Sequence, residues 1–475
     1  MKKRYKLAVL AVLMCMSVLL LCGCESAAFS ADSLMRPPAA GGDGARLQKA
    51  IETHLGTLIT LRYPRRAEHR SAVVRANIDG DEQEEAIVFY RPATENKGAR
   101  MAVLDMDSAG SWQMVSQGEN VGEIDRVLFG DLNGDGAADI VAGWSVFSGA
   151  SRKITAHTLI GGALRDIHFA PDEGGGDAAA GADMYTEMAI ADFDYDGRSE
   201  IMSVYLNTVD GRATARMLKW KRDTYSESML RAEGRASLDG RIAEYIGAQA
   251  GLLSHGQYGL VLDGHRGDGT YTTEVVCWDD EEQQLSAPLN DEETFACTCT
   301  RAQPITSQDI DADGIINIPT DRLMAGYTAD DAAPLYLVTW HRVFNGSLRR
   351  ETTALMRFDE GYYVEFPERW IANVTAECEV LPATQESPIQ DIVYFCRTED
   401  GTELMRIKLF TLDEWEAESS WEPSDILAED APRYLELMTT EYYVYAVLLP
   451  MQGEEEKDIP VPKYEEVAEM FRLLP

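Results

Sequence analysis

Short segments in which oxygen-bearing side chains alternate with small or apolar residues recur along this chain. Asp131, Asn133, Asp135, Gly136 and Asp139 form one; Asp192, Asp194, Asp196, Gly197 and Glu200 form another. A third holds Asp309, Asp311, Asp313, Gly314 and Asn317, and a fourth holds Asn77, Asp79, Asp81 and Glu85, with Glu82 where the others have glycine. Oxygens at positions one, three and five of a tight loop converge on one point. Glycine at six permits the left-handed turn that brings in the main-chain carbonyl of position seven (Ala137, Arg198 or Ile315), and a carboxylate at nine closes the cage. An all-oxygen set without His or Cys selects calcium over zinc or copper. The same residue types also form Asx turns that need no metal. The loop at Asp309 closes on an amide, and the loop at Asn77 lacks the glycine.

The loops begin at residues 77, 131, 192 and 309, and a fifth, at Gly251, keeps Gly256 and the following Leu260-Val261-Leu262 but none of the oxygen ligands. The period is about sixty residues, the mark of one unit repeated. Around each loop, short apolar runs alternate with Gly/Asp/Asn turns, as in all-β folds. The loops, each between two expected strands, resemble the FG-GAP and VCBS repeats of integrin-like β-propellers, and Phe129-Gly130 precedes the loop at Asp131. The resemblance implies a mostly β fold over residues 63–350, a propeller-like array of about five four-stranded blades with calcium loops on one face. The second blade is expected at 124–129, 140–146, 153–160 and 164–169.

Residues 351–475 lack the calcium spacing. Expected strands near Val380, at Ile392–Cys396, Leu404–Thr411 and Tyr442–Leu449, and a closing helix through Tyr464, Val467, Met470, Phe471 and Leu474, read as a small α+β domain. Phe366-Pro367 followed by Trp370, with Tyr443-Val444-Tyr445, is faintly similar to PsbP-like domains.

Lys2, Lys3, Arg4 and Lys6 precede an apolar run from Leu7 to Leu21, the layout of a secretory signal over residues 1–23. Leu21-Cys22-Gly23-Cys24 resembles the lipobox of bacterial lipoproteins, which implies a diacylglycerol on Cys24 and a lipid-anchored protein on the extracytoplasmic face of the cell membrane. Residues 24–44 are small, polar and Pro/Gly-rich and read as a tether, and Leu47, Ile51, Leu55 and Leu58 mark an amphipathic helix within 45–62. Together with Leu61-Arg62-Tyr63-Pro64, this start is similar to VCBS-repeat lipoproteins of Gram-positive anaerobes. A formal charge of −37 argues against nucleic-acid partners. Of eight cysteines, Cys277, Cys297, Cys299, Cys378 and Cys396 follow the lipobox, and Cys378 with Cys396 could bridge neighbouring strands or stay reduced.

Signatures of catalysis are absent from the sequence: no Gly-x-Ser-x-Gly, no His-Glu-x-x-His, no phosphate-binding glycine loop, and seven histidines with no pair at metal-ligand spacing. Arg266-Gly267-Asp268 spells an integrin-read tripeptide, but a hairpin bend in a Gly/Asp-rich chain accounts for it. The leading expectation is a non-catalytic binding or scaffolding module for a surface glycan or protein, stabilised by calcium. The rivals are an extracytoplasmic polysaccharide- or peptide-processing enzyme with paired carboxylates, and an envelope-assembly or sensor accessory.

Overall fold

The computed structural model describes residues 42–66, 69–119, 121–146, 152–171, 181–207, 209, 211–222, 228–381, 390–420, 433–451 and 458–475. The signal segment, Cys24 and most of the tether lie outside the described residues. Two compact units emerge, one comprising residues up to 59 together with 106–114, the other comprising the rest. In the smaller unit the expected helix runs Gly42–Leu55 and buries Leu47 and Ile51, while Leu58 falls beyond its end and is exposed. No helix among the described residues is long and apolar enough to cross a membrane.

The larger unit is mostly β and built from repeated antiparallel modules. The first contains Val73–Ala76, Glu85–Pro92 and residues 100–105 of the strand that pairs with it. The second contains Glu123–Gly130, Asp139–Ser145, Arg152–Ile160 and Ala163–Phe169, each within a residue or so of its expected bounds. Glu187–Ala191, Glu200–Asn207, Arg212–Arg222 and Ser228–Leu238 make the third. It joins the second edge to edge through a short parallel pairing of Met229 with His168 and Leu230 with Phe169. The fourth is Ile242–Ser254, Gln257–Arg266, Tyr271–Asp279 and Gln284–Ser286; the fifth is Ile318–Leu323, Tyr336–Phe344, Ser347–Arg357 and Tyr362–Glu365.

The second strand of a module carries the longest apolar run, and the packing explains why. Ile87, Val88 and Phe89 are fully buried, as are Ile140, Val141 and Ala142, on both faces of their strands. In Asp139–Ser145 one face packs against the first module and the other against the third. Ile87, Phe89 and Val103 share a core with Ile124, Ile140 and Trp144, while Val141 and Ile154 share the next core with Met188, Ile201 and Leu218. Met202 and Val204 in turn pack with Leu260 and Leu262. A strand buried on both faces cannot alternate polar and apolar residues, so its sequence reads as a continuous apolar run. Successive sheets that share cores face to face form the propeller-like array.

The C-terminal region adds a further sheet, ordered Val374–Leu381, Gln390–Arg397, Glu403–Thr411, Tyr443–Leu448 and Tyr434–Thr439, with short helices at Leu412–Ser419 and Tyr464–Met470. Thr411 caps the first helix in a capping box with Glu414. The expected boundary after residue 350 falls inside the strand Ser347–Arg357, and one core runs from Met324 and Leu355 through Trp370 and Phe395 to Phe471. The closing helix stops at Met470: Phe471–Leu473 instead pairs with Tyr362–Val364, whose free edge supplies ladder hydrogen bonds that a further helical turn could not. Cys378 and Cys396 lie on adjacent strands, but Cys378 faces Val393 and Cys396 faces Thr375, so the two thiols are out of register and unbridged.

Candidate metal centres

The four oxygen-rich loops occupy one place in the topology, each leading into a buried strand that begins at position nine or ten. Position nine is buried in every copy: Glu85, Asp139, Glu200 and Asn317. Each accepts the backbone N–H of position two, at 2.7 Å from Ile78, 3.0 Å from Leu132, 2.9 Å from Phe193 and 3.0 Å from Ile310. The side chains of position two are buried as well, so the loop is pinned by an apolar plug on one side and a buried acceptor on the other. In three loops the glycine at six has φ between +86° and +90°, and its N–H donates to the acid at position one: Gly136 to Asp131, Gly197 to Asp192, and Gly314 to Asp309. The N–H groups of Ala137, Arg198 and Ile315 donate to Asp135, Asp196 and Asp313. In the first loop Gln83 donates likewise to Asp81, so the turn forms without a glycine at six.

The buried acids carry the electrostatic consequence. Burial pushes the Glu85 and Glu200 carboxyls up to about 7 and that of Asp139 up to about 6, aided by the other loop acids. Carboxylates held in this way are stabilised by a nearby positive charge. Oxygens within reach of one ion come together in three groups among the described residues: Asp79, Glu85 and Asp105; Asp192, Asp194 and Glu200; and Asp309, Asp311 and Asp313.

The loop at Asp131 differs from these three. Asp131 is engaged by the N–H groups of Gly134, Asp135 and Gly136, and Asn133 turns its amide toward Asp139 and Thr158. Asn77 accepts from the N–H of Gly80 and donates to the carbonyl of Asp81, so it braces the first loop from within.

Sequence reasoning missed the residues that approach these loops from the strand paired with the one each loop leads into. Asp105 joins Asp79 and Glu85. Lys219 bonds to Asp194 and, at 2.8 Å, to Asp196, and its ammonium lies 3.6 Å from Glu200. Arg342 contacts Asp311 at 3.2 Å and Asp313 at 2.6 Å. These residues carry no motif of their own and lie about twenty residues downstream of their loops. Their only signal is a strand position recurring once per repeat. The remnant loop has shrunk to the two-residue bend His255-Gly256 between Ile242–Ser254 and Gln257–Arg266.

A separate cavity of about 600 Å³ is lined by first strands of the second, third and fourth modules. Arg66, His69, Arg126, Phe129, Tyr245 and Gln249 are on its wall, and Glu187 is the one carboxylate among its lining residues. Both Glu187 oxygens are occupied, one by Arg66 and the other by Arg126 at 2.8 Å. Behind that pair Asp125 accepts from Arg66 at 2.7 Å and from the Tyr185 hydroxyl at 2.7 Å. Burial raises the Asp125 carboxyl, but the Arg66 hydrogen bonds and charge outweigh it and hold it below the usual range.

Other candidates resolve simply. Arg266 of the Arg-Gly-Asp tripeptide is buried and paired with Asp239, so the tripeptide is not displayed as a unit. Cys297 and Cys299 are buried free thiols, pushed up to about 11 and about 12 by burial and therefore unsuited to serve as thiolate ligands.

No protein-family model matches this sequence, and no curated protein matches it. Among solved structures, it is similar to a rhamnogalacturonan lyase of Bacillus licheniformis at 11% identity and a TM-score of 0.27, covering 72% of this chain and 76% of the other. The Dos1 propeller is matched at 8% identity and 0.28, covering 63% and 64%. An exo-β-1,3-galactanase of Phanerochaete chrysosporium with bound galactotriose is matched at 10% identity and 0.29, covering 74% and 80%. Similarity this low carries no argument about activity or ligand.

Proposed function

We propose that this protein is an extracytoplasmic binding module, anchored through lipid on Cys24, whose calcium-held loops stiffen the array and whose inner-strand cavity takes a surface glycan or protein segment without chemical turnover. One observation carries the choice of binding over catalysis. The cavity presents a single carboxylate, Glu187, and two guanidiniums clamp it. Hydrolysis of a glycosidic bond requires two carboxyl groups, one of them able to give up a proton, on either side of the substrate. Both Glu187 oxygens are engaged by guanidinium N–H groups, which occupy the side chain that a general acid would need free. The aromatic, amide and guanidinium groups on the same wall suit recognition of a polar ligand.

A glycan array read together with chromatography of the bound sugars tests this reading. Retention without new products supports a binding module, and Arg66→Ala is expected to weaken retention at least tenfold. Release of shortened saccharides at enzymatic rates would replace it with the hydrolase reading.

The calcium part has its own readout. Calcium at a hundredfold excess over its dissociation constant adds about 2.7 kcal/mol per site. Chelator is therefore expected to lower the melting temperature, and Asp135→Ala or Glu85→Ala to lessen that response. A melt indifferent to chelator counts against calcium.

A further inference from the structure

We infer that the loops at Asp192 and Asp309 hold built-in cations, the Lys219 ammonium and the Arg342 guanidinium, in place of a metal ion, and that Asp105 completes a divalent-cation site in the loop at Asn77. This rests on the reading of the loops as calcium cages, which it divides into two kinds. The division follows from strand register. Position ten of each loop pairs across the sheet with a residue of the strand that follows: Ala86 with Leu104, Ile140 with His157, Ile201 with Leu218 and Ile318 with His341. In each of the four modules that keep the loop, the next residue of that strand, neighbour to position nine, is the one that addresses the loop. Those residues are Asp105, Thr158, Lys219 and Arg342. One structural position therefore carries an acid, a neutral hydroxyl and two bases in turn.

The chemistry at that position decides what fills the loop. Lys219 reaches positions three, five and nine of its loop, three of the four side chains that would ligate an ion. A divalent cation and an ammonium cannot share that volume, because two like charges in contact in a partly buried site repel strongly. Arg342 spans positions three and five of its loop in the same manner, and there position nine has become the neutral Asn317. The loop with a fixed guanidinium has thus also lost an acid.

The first loop meets the opposite charge at that position. Glu85 is fully buried, one of its carboxylate oxygens holds the Ile78 N–H, and the other has no hydrogen-bond partner. Asp192 Oδ1 and Asp194 Oδ1 also lack hydrogen-bond partners, but the Lys219 ammonium already supplies positive charge beside them, whereas an acid and not a base faces the first loop. Asp79 and Asp105 each bring a carboxylate oxygen within 4.8 Å of a Glu85 oxygen. A buried acceptor without a donor, faced by two further acids, is a cost that a hard cation removes. Thr158 leaves the second loop without a resident cation, and the calcium reading assigns it an ion that would draw Asp131 and Asn133 from their present hydrogen bonds.

Calcium binding to the full chain, counted by isothermal titration calorimetry and by equilibrium dialysis with calcium chloride alone, tests the assignment. Two ions are expected in the wild type. Lys219→Met and Arg342→Met are each expected to gain one, and Asp105→Asn to lose one or bind it at least tenfold more weakly. Thr158→Lys, at the buried register position that holds Lys219 and Arg342 in other modules, is expected to lose one ion while raising the melting temperature in chelator. Four ions in the wild type would overturn the built-in cations and leave the calcium reading standing. No ion in the wild type with one gained in Lys219→Met would support the substitution and sink calcium in the other loops. No gain in either methionine variant, at preserved circular dichroism, would overturn the inference.

Discussion

Replacing Arg301 with methionine is expected to destabilise the fold by about 3–5 kcal/mol, because it leaves a buried carboxylate without its counter-ion. The Arg301 side chain is fully buried and bonds to Asp263 at 2.8 Å and to the Thr273 hydroxyl at 2.7 Å. Asp263 also accepts from Thr273, from the N–H of Ser307 and from its hydroxyl. This cluster ties the second and third strands of the fourth module to the segment that leads into the loop at Asp309. Neutral donors alone cannot compensate an ionised group in that setting. Denaturant unfolding of Arg301→Met, Asp263→Leu and the double variant measures the effect, with the double variant expected to recover a large part of the loss. A single-variant loss under 1 kcal/mol would show that water reaches Asp263 and that the cluster is not a closed one.

The second large effect concerns pH. Glu274 is buried, and burial pushes its carboxyl up to about 7 even though the Asp239 N–H, the Asn290 amide and the Tyr245 hydroxyl all donate to it. Between its unfolded value of about 4.5 and about 7 the folded protein binds the proton that the unfolded chain has released. Stability from this group is therefore full at low pH and is lost as pH rises through that window. The loss at pH 8 is on the order of 3 kcal/mol, since each pKa unit corresponds to about 1.4 kcal/mol. Glu274→Gln keeps an acceptor for Asp239 and Asn290 without the charge. It is expected to raise the melting temperature by several degrees at pH 8 and to change it little at pH 5. An equal shift at both pH values would contradict the assignment of the titration to Glu274.

How much of this could be read beforehand depended on the distance along the chain over which each feature is built. The nine-residue loops are local: their acids, glycines and plugs at Ile78, Leu132, Phe193 and Ile310 stand within one turn of each other. Strands of the second module were legible because Gly and Asp bends bracket runs such as Ile140–Ala142. Arg66, Arg126 and Glu187 were not, because they come from a loop and two different modules and meet only when the first strands gather about the cavity. Phe471 kept helical spacing with Val467, yet it lies in a strand because the edge at Tyr362–Val364 was open to it.

By itself the order of residues established a repeated β unit and placed oxygen-rich bends at one point in each, because side chains a few positions apart converge through backbone geometry alone. Only the folded sheets decided which side chain faces each bend. Lys219, Arg342 and Asp105 arrive from a neighbouring strand, and hydrogen-bond register, not sequence spacing, sets what faces a buried carboxylate.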